Sequence, residues 1–298
     1  MTIRVFIDGA AGTTGLEIHE RLAPRDEFEL FVLDEAQRKN EAARREALHE
    51  ADVAILCLPD DAAREAVTLA EGSNTRIIDA SSAHRVADGW TYGFPEIIGH
   101  DQIANAQFVS NPGCYPTGFL ALVAPLVSAG LLPAEWPFTV NAVSGYSGGG
   151  KALIERFQTD TTIAFRAYGL DLAHKHKPEM KRHAGLVHPV LFAPAVVPAY
   201  RGMLVEVPLH LGAISEALHA DRLREELHSF YDGSDIVRVS EATDDTEFVL
   251  HNGIPADDGI TLDVCANEGG WHARLIARLD ILGKGASGAA IQNLNIMC

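Results

Sequence analysis

The chain has 298 residues, with 24 Lys and Arg against 41 Asp and Glu, a net charge of −17. So acidic a balance opposes general nucleic-acid binding and requires a local cationic pocket for any anionic substrate. With 47% hydrophobic and 22% charged residues the composition is that of a globular protein, long enough for two domains. No apolar run reaches the ~18–20 residues that would span a bilayer. The opening Met-Thr-Ile-Arg-Val-Phe-Ile reads as a strand and not a signal peptide. The expectation is therefore a cytoplasmic protein with no membrane partner.

The first third alternates strands and helices. Residues 3–7 predict a strand, 15–22 a helix, 30–33 a short apolar strand and 39–49 a helix. Residues 53–58 predict an apolar strand, 62–71 a helix and 77–79 another strand. Continuous apolar strands between helices predict a parallel sheet covered on both faces, an α/β doubly wound fold. Further on, strands are expected at 138–143, 192–197, 203–211, 236–239, 261–266 and 272–282. A helix is expected over 215–231, capped by Ser215, and a small-residue helix over 285–297. The second part thus reads as an α+β domain with a mixed or antiparallel sheet. The boundary falls near Asn111: domains 1–111 and 112–283, with the last helix, 284–298, returning to the first.

Four cysteines, Cys57, Cys114, Cys265 and Cys298, are widely spaced with no CxxC pair, which reads as free thiols. Cys57 is expected in a buried strand. Cys114 is different. It lies in Ser110-Asn-Pro-Gly-Cys-Tyr-Pro-Thr117, running into a long apolar segment. Pro112 forbids helix at Asn111, Gly113 permits a tight turn, and Pro116 suits a first helical turn. Cys114 is thereby predicted at a helix N-terminus. There the positive end of the dipole favours thiolate, and free N–H groups could stabilise an oxyanion.

After the first strand comes Asp8-Gly-Ala-Ala-Gly-Thr-Thr-Gly15. The spacing is GxxGxxG, not GxGxxG, but the strand–turn–helix context is that of a dinucleotide loop. Gly9 would make the turn, Gly12 would admit a pyrophosphate, Gly15 would pack the helix on the sheet, and Thr13 and Thr14 would add hydroxyl donors. Asp34 favours NAD, whereas Arg38 and Lys39 could hold a 2′-phosphate; the residues leave both open. Asp79-Ala-Ser-Ser-Ala-His-Arg85 follows a strand end, where Ser81 could touch a cofactor and Arg85 could clamp an anion. Ser144-Gly-Tyr-Ser-Gly-Gly-Gly-Lys151 reads as a flexible loop, with Ser147 and Gly148 placed to wrap a cofactor. In His174-Lys-His-Lys-Pro-Glu179 either imidazole could move a proton, and Lys177 could attract an anion. Two histidines one residue apart, without a cysteine pair, fit a zinc site poorly; no metal is expected.

These motifs together resemble the N-acetyl-γ-glutamyl-phosphate reductases of the shorter, second type. The matching segments are 9–15, 58–61, 79–85, 92–96, 110–117, 144–151, 174–179 and 284–295, in order along nearly the whole chain. The resemblance implies a Rossmann-type NADP domain followed by a catalytic and dimerisation domain, hence a homo-oligomer, dimer or tetramer. It implies reduction of a small-molecule substrate, N-acetylglutamyl phosphate, to the semialdehyde in arginine synthesis. Cys114 would be the nucleophile and His176 the acid/base, with His174 nearly as suitable. Arg85, Asn111 and Lys177 would hold substrate, and Asn293 would join the cofactor contacts. Alternatives are an aspartyl- or aminoadipyl-phosphate reductase, a thiol hydrolase, and a non-catalytic NADP-binding regulator.

Overall fold

In a computed structural model of the chain, residues 2–241 and 246–298 are described. They form two compact units, Met1–Gly113 with Ala286–Cys298, and Cys114–Gly285. The first holds β1 Ile3–Asp8, β2 Phe28–Phe31, β3 Val53–Leu56, β4 Arg76–Asp79, β5 Thr91–Tyr92 and β6 Phe108–Ser110. Their order is β2-β1-β3-β4-β6-β5, and every pairing is parallel.

The doubly wound reading is borne out residue by residue. Successive side chains of a strand leave on opposite faces. Val5, Ile7, Val53, Ile55 and Ile78 join one core cluster with Ile18 and Leu22 of helix Thr13–Leu22. Phe6, Ala54, Leu56 and Ile77 join another with Leu48 and Leu69 of helices Glu41–Glu50 and Asp60–Leu69. The final helix, Gly288–Met297, adds Ala290, Ile291, Leu294 and Met297 to the first cluster. Register aligns Asp8, Leu56, Asp79 and Ser110 across neighbouring strands, so the glycine loop and the segments after Leu56, Asp79 and Ser110 leave from one sheet edge. Strand order turns between β1 and β3, the crevice position for ligands in such sheets.

One buried charge pair stabilises that edge. Arg44 donates Nε (3.1 Å) and Nη2 (3.0 Å) to Asp8 Oδ2, and Nη1 to Glu65 Oε2 at 2.6 Å. Burial raises the Asp8 carboxyl, and Arg44 opposes the rise. Removing one partner strands a buried charge, so Arg44→Met is expected to cost about 3–5 kcal/mol in urea unfolding. Adding Asp8→Asn should recover a good part of it.

The second unit carries β7 Thr139–Ser144, β8 Arg166–Ala167, β9 Leu191–Val196, β10 Met203–His210, β11 Val237–Val239, β12 Ile260–Ala266 and β13 His272–Leu279. Their order is β11-β12-β13-β10-β7-β9-β8, with β7–β9 and β11–β12 parallel and the other pairs antiparallel. Helix Cys114–Ser128 is buried at every position from Tyr115 to Leu126. It lies close on the sheet because Gly118 has no side chain: a Cβ there would meet Val205 Cγ2 at 2.8 Å. Pro125 inside this helix has no N–H to give to the Ala121 carbonyl, and the Tyr231 hydroxyl supplies that donor at 2.9 Å.

Several expected elements are corrected. The helix expected at 215–231 spans Ala220–Phe230 with His219 as N-cap, and Ser215 instead ends a short turn, Leu211–Ile214. The Ser215 Oγ accepts from Ala217 N, a local bond that competes with helix. The loop expected at 147–150 is a 3₁₀ turn, Tyr146–Gly149, leading directly into helix Gly150–Thr159. Strand β3 ends at Leu56, so Cys57 lies just beyond it. Strands β5, β6 and β8, of two or three residues, carry too little pattern to be read.

Candidate active site

Cys114 is the first residue of its helix and is partly accessible, so the turn Asn111-Pro-Gly places the sulfur where the sequence predicts. A Cβ at Gly285 would sit 3.1 Å from Cys114 Cβ, which is how closely the chain passes behind it. The other thiols are poor nucleophiles. Burial, with Asp79 and Asp8 nearby, pushes Cys57 up to about 12, and burial also raises Cys265 and Cys298.

Tyr115, next in the chain, is surrounded by the predicted proton-moving groups. Its ring lies 6.3 Å from His174, 6.0 Å from His176 and 5.1 Å from Phe192. The two imidazoles are 4.7 Å apart. His174 Nδ1 accepts the backbone N–H of His176 at 3.2 Å, so neutral His174 carries its proton on Nε2. Burial, with Lys175 adjacent, lowers the His174 pKa below its ordinary 6.5 and keeps the ring neutral. His176 is buried at the cap of helix Lys177–His183.

Sequence reading missed a hydroxyl chain beside the sulfur. Tyr115 OH lies 2.7 Å from Ser144 Oγ, and Tyr168 OH donates to Tyr115 OH at 3.3 Å. Burial raises both phenols, Tyr168 to about 12, and the nearness of Cys114 raises both further. They stay protonated near neutrality and remain hydrogen-bond donors. Tyr115 stands in the quoted cysteine motif, but nothing in sequence marks Tyr168, six residues before His174 in a patternless loop.

In the first unit, the glycine loop has the shape a pyrophosphate needs. Gly9 has φ +87°, and a Cβ there would meet the Cys57 carbonyl oxygen at 2.3 Å. A Cβ on Gly15 would meet Gly9 O at 2.6 Å, whereas one on Gly12 would meet only Gly9 O, at 3.4 Å, leaving space. Helix Thr13–Leu22 starts at Gly12 with no side-chain cap, and Thr13 Oγ1 is buried without a partner. Open N–H groups, an unpaired hydroxyl and the dipole end fit a phosphate. Thr14 is the next residue of that turn.

Other candidates are engaged within their units. Ser81 donates Oγ to Asp79 Oδ2 at 2.8 Å, and His84 Nδ1 meets the same oxygen at 2.6 Å. Arg85 donates to the carbonyls of Asn111 (2.9 Å) and Ala80 (3.1 Å). Asn111 donates Nδ2 to Ala286 O and accepts at Oδ1 from Asn293 Nδ2, which also donates to Gly93 O. Lys177 Nζ donates to Leu172 O at 2.6 Å. In the second unit Ser147 Oγ is buried without a partner, and a Cβ on Gly148 would meet Ile281 Cδ1 at 2.1 Å. Among the described residues no cluster could hold a metal ion, and no helix is long and apolar enough to cross a membrane.

A nucleotide-type βα turn in one unit, and in the other a cysteine whose neighbour Tyr115 is flanked by two imidazoles, accompany an oxidoreductase of the semialdehyde dehydrogenase class. Residues 4–106 match the family model "Semialdehyde dehydrogenase, NAD binding domain" and residues 114–280 the model "Semialdehyde dehydrogenase, dimerisation domain". The chain is 48% identical to an N-acetyl-gamma-glutamyl-phosphate reductase of Trichormus variabilis, covering 99% of this chain and 96% of that one. It is 47% identical to that of Allorhizobium ampelinum, covering 100% and 99%. Within the class, the chain belongs to the N-acetyl-gamma-glutamyl-phosphate reductase family. In fold it is similar to aspartate semialdehyde dehydrogenase II of Vibrio cholerae, with TM-score 0.75 at 19% identity, covering 100% of this chain and 98% of that one. It is also similar to an aspartate semialdehyde dehydrogenase of Candida albicans solved with NADP, with TM-score 0.71 at 13% identity and the same coverage.

Proposed function

We propose that the protein reduces N-acetyl-L-glutamyl 5-phosphate to the 5-semialdehyde with NADPH, through a thioester on Cys114, as a step of arginine synthesis. The observation that carries this reading is the partly accessible Cys114 at the start of a buried helix, with both imidazoles around the neighbouring ring of Tyr115. The first unit is the nucleotide-binding domain and the second the catalytic and dimerisation domain, so the working form is a homo-oligomer.

Cys114 sulfur attacks the acyl carbon, a C–S bond forms, and the C–O bond to phosphate breaks. The thioester keeps the carbon electrophilic and gives a good leaving group. The nicotinamide cofactor, when bound, supplies hydride to that carbon. His176 gives a proton to the carbonyl-derived oxygen, and His174, neutral with its proton on Nε2 and its ring centre 4.7 Å from that of His176, is the second donor. That proton returns to the imidazole as the C–S bond breaks, so the aldehyde leaves and the thiolate is restored. Gly9, Gly12, Thr13, Thr14 and Gly15 would cradle the pyrophosphate, with Ser81 and Asn293 of the same unit as further cofactor residues.

NADP is favoured over NAD by the turn after β2. Asp34 Oδ1 accepts the Gln37 N–H at 2.8 Å, which ties the acid into the turn, and Arg38 and Lys39 follow it. The test is the reverse reaction: N-acetylglutamate semialdehyde, phosphate and NADP should yield NADPH only with phosphate present. Equal or faster turnover of aspartate semialdehyde, or NAD used as well as NADP, would sink the corresponding part of the reading.

A further inference from the structure

Leu172 is the one non-glycine among the described residues with positive φ, +57°. A residue with a Cβ is disfavoured there and persists only where its surroundings impose the conformation. Burial does not impose it, since Leu172 is 49% exposed. Polar bonds do. The Leu172 N–H donates to Gly169 O at 3.0 Å, Ala173 N–H donates to Asp171 Oδ1 at 3.3 Å, and Lys177 Nζ reaches back to Leu172 O at 2.6 Å. The turn so closed contains His174. Lys177 N–H donates to His174 O at 3.1 Å, and His176 N–H donates to His174 Nδ1 at 3.2 Å. The ring is set edge-on to Tyr168 at 5.6 Å and to Phe192 at 5.0 Å.

We infer that Lys177 is a positioning residue, whose ammonium clasps the Leu172 carbonyl and holds a strained turn that aims and fixes the tautomer of His174. This rests on the reading of His174 as part of the reductase site, and it gives Lys177 a role other than binding a substrate anion. The clasp differs from general packing because it acts on the orientation of one ring, so loosening it should affect turnover more than stability.

The experiment compares Lys177→Met, Lys177→Arg and Leu172→Gly with the wild-type chain. For Lys177→Met, kcat is expected to fall about 10-fold with KM for the semialdehyde and for phosphate within about 2-fold, because misorientation acts on the reacting geometry. Lys177→Arg, which can still donate to the carbonyl, should recover most of the loss. Leu172→Gly, which suits the left-handed backbone and keeps the clasped carbonyl, should hold both kcat and melting temperature near wild type. Nitrogen NMR of ¹⁵N-histidine-labelled protein gives a readout independent of turnover: His174 as the Nε2–H tautomer in the wild type and in Leu172→Gly, and mixed tautomers in Lys177→Met. A rise in KM for phosphate at unchanged kcat in Lys177→Met would overturn the inference in favour of anion binding. An unchanged His174 tautomer in Lys177→Met would overturn it as well. Absent wild-type turnover with the expected tautomer response would sink the reductase reading and leave the clasp standing.

Discussion

Cys114→Ser is expected to lower turnover by at least about 10³-fold while leaving nucleotide affinity within about 2-fold of wild type. Serine occupies the same place at the start of helix Cys114–Ser128 and should leave the fold intact. What it lacks is the sulfur: a hydroxyl is a far weaker nucleophile than a thiol near neutrality, and an ester is a poorer acceptor than a thioester. None of the other three thiols compensates, since burial raises each of them. The checks are steady-state rates beside a fluorescence titration with NADPH, and a mass shift of the wild-type chain by one acyl group on mixing with substrate in the absence of NADPH. Substantial turnover by the serine variant would remove the covalent route. Loss of NADPH binding as well would mean the substitution had disturbed more than the nucleophile.

Gly9→Ala has the second largest expected effect, and it separates two roles of glycine in one loop. At φ +87° any Cβ is strained by about 1–2 kcal/mol. Here it would also lie 2.3 Å from the Cys57 carbonyl oxygen, so backbone must move. Melting temperature should fall by several degrees, and the stabilisation by saturating NADP, about 2.7 kcal/mol at 100 times Kd, should disappear. Gly12→Ala is the contrast. Its Cβ would meet only Gly9 O at 3.4 Å, an ordinary contact, and its φ is not in the left-handed region. The unliganded variant should therefore melt near wild type, yet bind NADP at least about 10-fold more weakly, because the methyl group stands where the phosphate must approach. If Gly12→Ala kept full affinity, the phosphate cradle would be misplaced.

The first unit was largely readable because its strands are apolar on both sides and bounded by loops. Val53–Leu56 is buried at all four positions and was expected within a residue or two. The edge strand Thr91–Tyr92 was missed for the opposite reason: two residues carry no period, and only pairing with Val109 and Ser110 makes them a strand. In the second unit, alternation along Met203–His210 was visible, since one face packs beneath Gly118 and its helix. The helix beginning at Ala220 starts later than the pattern predicts because Ser215 looks like a cap, and a serine's local hydrogen bond is equally compatible with the turn it in fact forms.

The amino-acid sequence by itself determined the chemistry this protein holds: one cysteine on a Pro-Gly turn before an apolar helix, a glycine-rich βα loop, and two histidines one residue apart. Those features are set by bonds between near neighbours, so spacing along the chain records them. Only the tertiary structure decided which polar groups are already engaged. Arg85 reaches Asn111 across 26 positions, Asn293 reaches Asn111 across 182, and Tyr168 meets Tyr115 across 53. A hydrogen bond formed by folding imposes no period on the residues between its ends, and so leaves nothing in the sequence to read.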